Sequence, residues 1–290
     1  MSSWNLFKKD WSTIWYNIRK GNFFPFFTKI PKKLYQLWFT IKGHDGVKVV
    51  EKDWDYLIIL DACRYDIFEE TNWIDGQLEK VVSKGASTPE WLKENFDRYF
   101  DDIVYVSANP FVARKEWFES QEAENISHDF NQHIKSYEGD FHEIYATYLR
   151  EDAIEKGTLK PESVAEDALK ADEKHPDKRM IIHFMQPHFP CIGEPSMTVA
   201  EGDVRGGDEF HLHKDGFKAY KANLERVLPE VERIIEKLEG KIVVSADHGE
   251  AFREKGIIGH HGGVYIKELV EVPWFEIKKQ KEKEISGIDV

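Results

Sequence analysis

From about residue 54 onward, short apolar runs alternate with longer stretches in which apolar positions recur every three or four residues. The runs at 55–60, 78–83, 102–107, 178–185, 241–246 and 270–277 are predicted strands. The stretches 63–70, 89–99, 111–118, 162–173 and 216–238 are predicted helices. Strands that are apolar on both faces and alternate with helices predict a mainly parallel sheet covered on both sides. The expected fold is therefore α/β, a three-layer α/β/α sandwich. In such a sheet chemistry belongs just after the strands, at their carboxyl ends. The acidic and aromatic segment 119–160 has no clear period and is expected to form helices and loops above the sheet.

Residues 4–42 follow another pattern. Trp4, Trp11 and Trp15 are seven and four apart, as one helical face requires, and Gly21, Pro25 and Pro31 are expected to break the segment into two short helical pieces. Two regions follow: a basic, aromatic N-terminal helical arm over 1–45 and one α/β domain over 46–290. The 290 residues, 41% of them hydrophobic, suffice for one sizeable core. Eight Lys and Arg against Asp10 give the first 42 residues a charge of +7, leaving −20 on the rest of a chain whose net charge is −13. An acidic body argues against nucleic acid as a partner. A basic, aromatic arm suits the surface of an anionic membrane, or else packs its rings on the main domain.

Two cysteines, Cys63 and Cys191, exclude a disulfide framework and suit a reducing interior. The N-terminus has no apolar core followed by a small-residue cleavage site, and no run of about 18 apolar residues occurs. The expected location is cytoplasmic, peripheral at most at the inner face of the membrane.

Candidate chemistry clusters where the strands end. Asp55-Tyr-Leu-Ile-Ile-Leu-Asp61 and Lys241-Ile-Val-Val-Ser-Ala-Asp247-His248-Gly-Glu250 each run from a buried strand into a metal-ligand side chain. Asp61, Asp247 and His248 are thus a candidate divalent metal centre. Cys63 reads as a packed thiol, and Arg64 as a group that orients a carboxylate or holds an oxyanion. In Ser83-Lys-Gly-Ala-Ser87-Thr88-Pro-Glu-Trp91, Pro89 suits a first helical turn, which sets Ser87 or Thr88 at the positive helix end as candidate nucleophile or N-cap. His188, between Pro187 and Pro190, is held in a stiff loop and reads as a ligand for a substrate anion or a second metal. His183 lies within its strand and reads as structural. In Gly259-His-His-Gly-Gly263, His260 or His261 is placed to close the site.

The order Leu-Asp61, Ser87-Thr88-Pro, Pro187-His188-Phe-Pro190, Asp247-His248-Gly249-Glu250, Gly259-His260 and Val272-Pro-Trp274 resembles the sulfatase-like branch of the alkaline phosphatase superfamily, across about residues 54–277. The resemblance implies one metal held by Asp61, the nucleophile Ser87 or Thr88, Asp247 and His248. It departs from true sulfatases, which carry Cys/Ser-x-Pro-x-Arg, because no arginine follows Ser87-Thr-Pro-Glu-Trp91. It departs from two-metal members because the Pro-Asp-x-x-x-His carboxylate is missing at Pro187-His188. One metal is therefore expected, Mn or Zn ahead of Ca or Mg because of the imidazole ligand.

The expected activity is hydrolysis or transfer of phosphate esters through a covalent Ser87 or Thr88 intermediate. His188 and His260 then serve the transferring group, and Arg64, His188 and His261 bind the anionic ester. The alternatives are a sulfuric ester hydrolase and a non-catalytic membrane-surface binding protein.

Overall fold

The structure of the protein is a computed structural model in which residues 24–112, 137, 139–198 and 207–277 are described. The expectations for Trp4, Trp11, Trp15 and Gly21, for the helix past residue 112, and for 119–136 and 138 lie outside the described residues. Among the described residues seven strands form the main sheet: β1 (Tyr56–Leu60), β2 (Gly76–Val82), β3 (Phe100–Ser107), β4 (Phe141–Ala146), β5 (Arg179–Phe184), β6 (Ile242–Ser245) and β7 (Glu271–Ile277). Their order is β2-β7-β6-β1-β5-β3-β4, with β7 antiparallel to both of its neighbours and the rest parallel.

The central strand β1 is buried along its whole length, with Ile58 level with Ile182 on one side and Val244 on the other. Its side chains alternate between two cores. Tyr56, Ile58 and Leu60 meet the helices α2 (Tyr65–Thr71), α4 (Pro161–Lys174) and α6 (Gly216–Lys237), through residues such as Phe68, Ala168 and Leu228. Leu57 and Ile59 meet α3 (Thr88–Asn95), through Trp91 and Leu92. This is the three-layer α/β/α arrangement expected from the alternating pattern. Each fully buried aliphatic side chain of β1 contributes on the order of 2 kcal/mol.

Two local expectations are corrected. The segment 119–160 contains a strand, β4, pairing in parallel with β3. As an edge strand it buries little beyond Phe141 and Ile144, so polar His142 and Glu143 interrupt its apolar signal. Pro31 does not break the N-terminal helix, because α1 runs from Phe24 to Lys42 with Pro31 inside it. Pro25 falls in the first turn, where the missing N–H costs nothing. The rung lost at Pro31 is offset by tertiary contacts, since Tyr35 and Phe39 pack against a cluster containing Val264 and Ile266. The short helix α5 (Gly207–Leu212) lies beside α6.

Candidate metal centre

At the carboxyl ends of β1 and β6 the chain turns sharply, and each turn delivers a carboxylate. Asp61 follows β1 directly and precedes Ala62 at φ 60°, a left-handed conformation uncommon without glycine. The Tyr220 hydroxyl on α6 holds that turn, donating to the Ala62 carbonyl (2.6 Å) and accepting from the Arg64 N–H (3.0 Å). Asp247 and His248 follow β6 and precede Gly249, where a Cβ would lie 2.2 Å from the Glu268 carbonyl oxygen. Only glycine lets the backbone pass there.

One oxygen of Asp247, Oδ1, is held by two backbone donors, Ala62 N–H (3.1 Å) and His248 N–H (2.9 Å). Its other oxygen accepts from Thr88 Oγ1 at 2.7 Å. Thr88 is the first residue of α3. The His248 Nδ1–H donates to the Gly249 carbonyl (2.8 Å), and because a carbonyl only accepts, this bond fixes the tautomer. Nε2 is left with a lone pair, 3.3 Å from Thr88 Oγ1, 3.4 Å from Asp247 Oδ2 and 3.7 Å from Asp61 Oδ1.

These atoms suit a divalent cation. Ligand atoms at about 2.1 Å in a tetrahedral zinc-type site lie about 3.4 Å apart, close to the observed separations. Asp61, Asp247 and His248 each offer a ligand atom within 4.8 Å of the others, and all three are buried. Asp61 Oδ1 has no hydrogen-bond donor, and neither does His183 Nε2 have a partner. A buried carboxylate oxygen without a donor costs free energy unless a cation faces it. Burial, and then the neighbouring Asp247, push the Asp61 carboxyl well above its usual range. Burial also works against the Asp247 carboxylate, but His248, His183 and the Thr88 hydroxyl bring it below the ordinary value. His248 is kept neutral chiefly by burial, the form in which imidazole binds metal.

A second cluster adjoins the first. The buried Glu250 carboxylate is 3.1 Å from both His260 Nδ1 and His211 Nε2. Glu250 is held well below its usual range, burial opposing and His260 and His211 outweighing it, while His260 is raised against burial by that carboxylate. The His188 ring lies 5.1 Å from His260, which in turn is 4.4 Å from His248. His188 and His260 are partly exposed, whereas the first cluster is buried, so the imidazoles line the approach to it. Burial, and then His260, lower His188 to about 4. His188, Glu250 and His260 also lie close enough together to hold an ion.

The structure thus brings Asp61, Thr88, Asp247 and His248 together, with His188 and His260 beside them. Ser87 is the N-cap of α3, with extended backbone and no side-chain capping bond. No hydrogen bond between its hydroxyl and the carboxylates is observed among the described residues. Arg64 is spent elsewhere: its guanidinium forms a bidentate pair with Asp66 (2.9 and 2.7 Å) and reaches Glu254 (2.6 Å) and the Glu250 carbonyl (3.3 Å). His261 is partly exposed, and burial and then Lys32 lower it to about 3. Cys63 is buried, and burial raises its thiol.

Several site residues escaped sequence reasoning. Asn109 donates to Asp61 Oδ2 and lies 3.4 Å from Thr88 Oγ1. It follows β3 by two residues, so the rule of searching beyond strand ends had the means to find it. His183 reads as structural in sequence, yet its Nε2 sits 3.8 Å from Asp61 and 3.9 Å from Asp247, with Nδ1 2.8 Å from the Tyr105 hydroxyl. Asn223, buried on α6, donates to the carbonyls of Pro187 (3.2 Å) and His188 (3.1 Å) and so holds the histidine loop. Nothing local marks it.

No family model and no curated protein matches the chain. Solved structures do. The integral membrane protein lipooligosaccharide phosphoethanolamine transferase A from Neisseria meningitidis matches with a TM-score of 0.51 and 16% identity, over 76% of this chain and 47% of that one. The chain therefore spans about half the length of that transferase. Its soluble domain, solved separately, matches with a TM-score of 0.52 and 15% identity, over 76% of this chain and 75% of that one. The C-terminal periplasmic domain of EcEptC from Escherichia coli, in complex with Zn, matches with a TM-score of 0.48 and 10% identity, over 80% of this chain and 75% of that one.

The cytoplasmic location expected from the sequence, at the inner face of the membrane, is corrected by these matches. Two of the matched chains are an integral membrane protein and its soluble domain, which a purely cytoplasmic expectation does not accommodate. No helix among the described residues is long and apolar enough to cross a membrane. At these identities the likeness concerns the fold. That shared fold, with its mostly parallel seven-stranded sheet, is the α/β/α arrangement expected from the sequence.

Proposed function

We propose that the protein is a metal-dependent enzyme that transfers or hydrolyses phosphate esters through a covalent intermediate on Thr88. The observation that carries this reading is the Thr88 hydroxyl, donating to Asp247 at 2.7 Å in a buried cluster where Asp61 Oδ1 and His183 Nε2 have no partner. Asp61, Thr88, Asp247 and His248 would hold one divalent ion, Mn or Zn by their mixed oxygen and nitrogen donors, with Ca and Mg less well matched. When bound, such an ion supplies Lewis-acid stabilisation of phosphoryl oxygens and eases deprotonation of a hydroxyl.

Thr88 Oγ1 attacks phosphorus in line, giving its proton to the carboxylate that it faces. The new Oγ1–P bond forms as the ester P–O bond breaks, and a protonated histidine at the mouth, His260 with His188 beside it, gives the departing oxygen its proton. Water or an acceptor alcohol then attacks the phosphothreonine and gives its proton to the histidine, while the Oγ1–P bond breaks and the Asp247 carboxyl returns its proton to Oγ1. Asn109 and the Asp247 bonds keep Thr88 oriented throughout. The fold match to a lipooligosaccharide phosphoethanolamine transferase supports a lipid-linked or surface-glycan phosphoester as the substrate class.

A metal-supplemented screen of aryl phosphate mono- and diesters and an aryl sulfate tests this. The expected result is phosphate-ester turnover that needs Mn or Zn and falls by about 10⁴-fold in Thr88→Ala, which still takes up metal. Peptide mass should show phosphate on Thr88 and an intact hydroxyl on Ser87. Sulfate turnover with an aldehyde at position 87 would replace the proposal with the sulfuric ester reading, and a metal-free purified protein would favour the non-catalytic one.

A further inference from the structure

Helix α1 has two unlike faces. Tyr35 and Phe39 pack inward beside Val264, Tyr265 and Ile266, and the Gln36 side-chain amide donates to the Gly262 carbonyl at 3.0 Å. The outward face carries Leu34, Leu37, Trp38 and Ile41, spaced i, i+3, i+4 and i+7, and so aligned as one stripe. All four are more than half exposed, Ile41 by 77%. Exposed large apolar groups scattered singly are ordinary, but four on one helical stripe form a surface that water does not favour.

Charge identifies what covers this surface. α1 holds Lys29, Lys32, Lys33 and Lys42 and no acidic residue, within a chain of net charge −13. At 100° per residue, Lys33 and Lys42 fall on opposite flanks of the stripe. A second copy pairing through the same stripe would set lysines against lysines. An anionic bilayer answers both features, taking the apolar side chains at the acyl boundary and the ammonium groups among its phosphates. We propose that Leu34, Leu37, Trp38 and Ile41 dock α1 lengthwise into the interface of an anionic membrane.

The consequence reaches the site, because the inner face of α1 rests on the loop that contains His260 and His261. Docking sets that loop about 10 Å, one helix diameter, from the headgroups. The substrate is then an ester whose phosphate stands at the leaflet surface, a step that rests on the phosphoester reading, whereas the docking itself does not.

Co-sedimentation of the full chain with phosphatidylcholine vesicles, with and without phosphatidylglycerol, tests the proposal. Wild type should pellet with the anionic vesicles only, and Leu37→Glu/Ile41→Glu should weaken binding by about tenfold or more. Lys33→Glu/Lys42→Glu should weaken it too and flatten its salt dependence. Turnover of a soluble aryl phosphate by both variants should match wild type, which shows that they are folded. Equal pelleting of the Leu37/Ile41 variant, equal binding of wild type to both vesicle types, or no vesicle binding would each overturn the proposal. So would lipid-free self-association of wild type that this variant abolishes, which would make the stripe a subunit interface. Vesicle binding without ester turnover would sink the enzymatic reading and leave the docking face standing.

Discussion

Asp61 and Glu250 are both buried carboxylates at the same edge of the sheet, and their surroundings push them in opposite directions. Asp61 faces a second carboxylate, has one oxygen with no donor, and is driven toward its neutral form by burial and by Asp247. Glu250 is enclosed by the imidazoles of His260 and His211 and stays charged. The first region has negative charge in excess, which a bound cation would offset. The second has its charge balanced by protonatable rings, and is suited to meet an anion and move a proton. The difference teaches that two adjacent His and carboxylate clusters need not both be metal sites, because the ratio of carboxylates to imidazoles decides what each takes up.

The comparison breaks most readily at Asp247. Asp247→Ala should remove both metal and turnover, the latter by about 10⁴-fold or more, with metal content read by elemental analysis. One ion per wild-type chain that vanishes in this variant sharpens the contrast. Two ions, of which one remains, would give the Glu250 cluster a metal of its own.

A smaller loss is expected from His260→Gln. Turnover should fall by about 10² to 10⁴-fold with metal content unchanged, as removal of a proton donor requires. The same variant carries a pH signature. The His260 pKa is raised above its ordinary 6.5, so its pairing with Glu250 stabilises the fold fully below that value and progressively less as pH rises through the folded pKa. Melting temperature against pH should show this alkaline decline in wild type and lack it in His260→Gln.

The smallest effect belongs to His183, which borders the first region without a bond to either carboxylate. His183→Gln should weaken metal affinity by about 10 to 100-fold while leaving a folded enzyme that excess metal restores, as expected for a group beside the ligands. Unchanged affinity in a competition titration would leave His183 a packing residue.

Much of this edge was legible along the chain. Asp61 and the Asp247-His248 pair stand out because an apolar run that stops at a metal-ligand side chain is a local pattern, visible within ten residues. Six of the seven strands were visible for the same reason. β4 was not, since an edge strand with two buried residues carries almost no periodic signal. Ser87 and Thr88 are equivalent in sequence, both at the start of a helix. Their difference comes from where one turn of α3 points each hydroxyl, toward the carboxylates for Thr88 and not for its neighbour. Arg64 shows the converse: an arginine two residues before an aspartate reads as available for a ligand until the fold brings Glu254 alongside.

The order of apolar and polar residues by itself determined the layered sheet, the edge at which chemistry sits and the residue types gathered there, because burial of strands and placement of ligands after them are properties of short segments. Tertiary structure decided which of those groups meet. Asn109, His183 and Asn223 join the site from three elements far apart in sequence. The hand of Thr88, the lone pair of His248 and the outward stripe of α1 depend on contacts across the fold. Such contacts depend on distances in space that no spacing along the chain encodes.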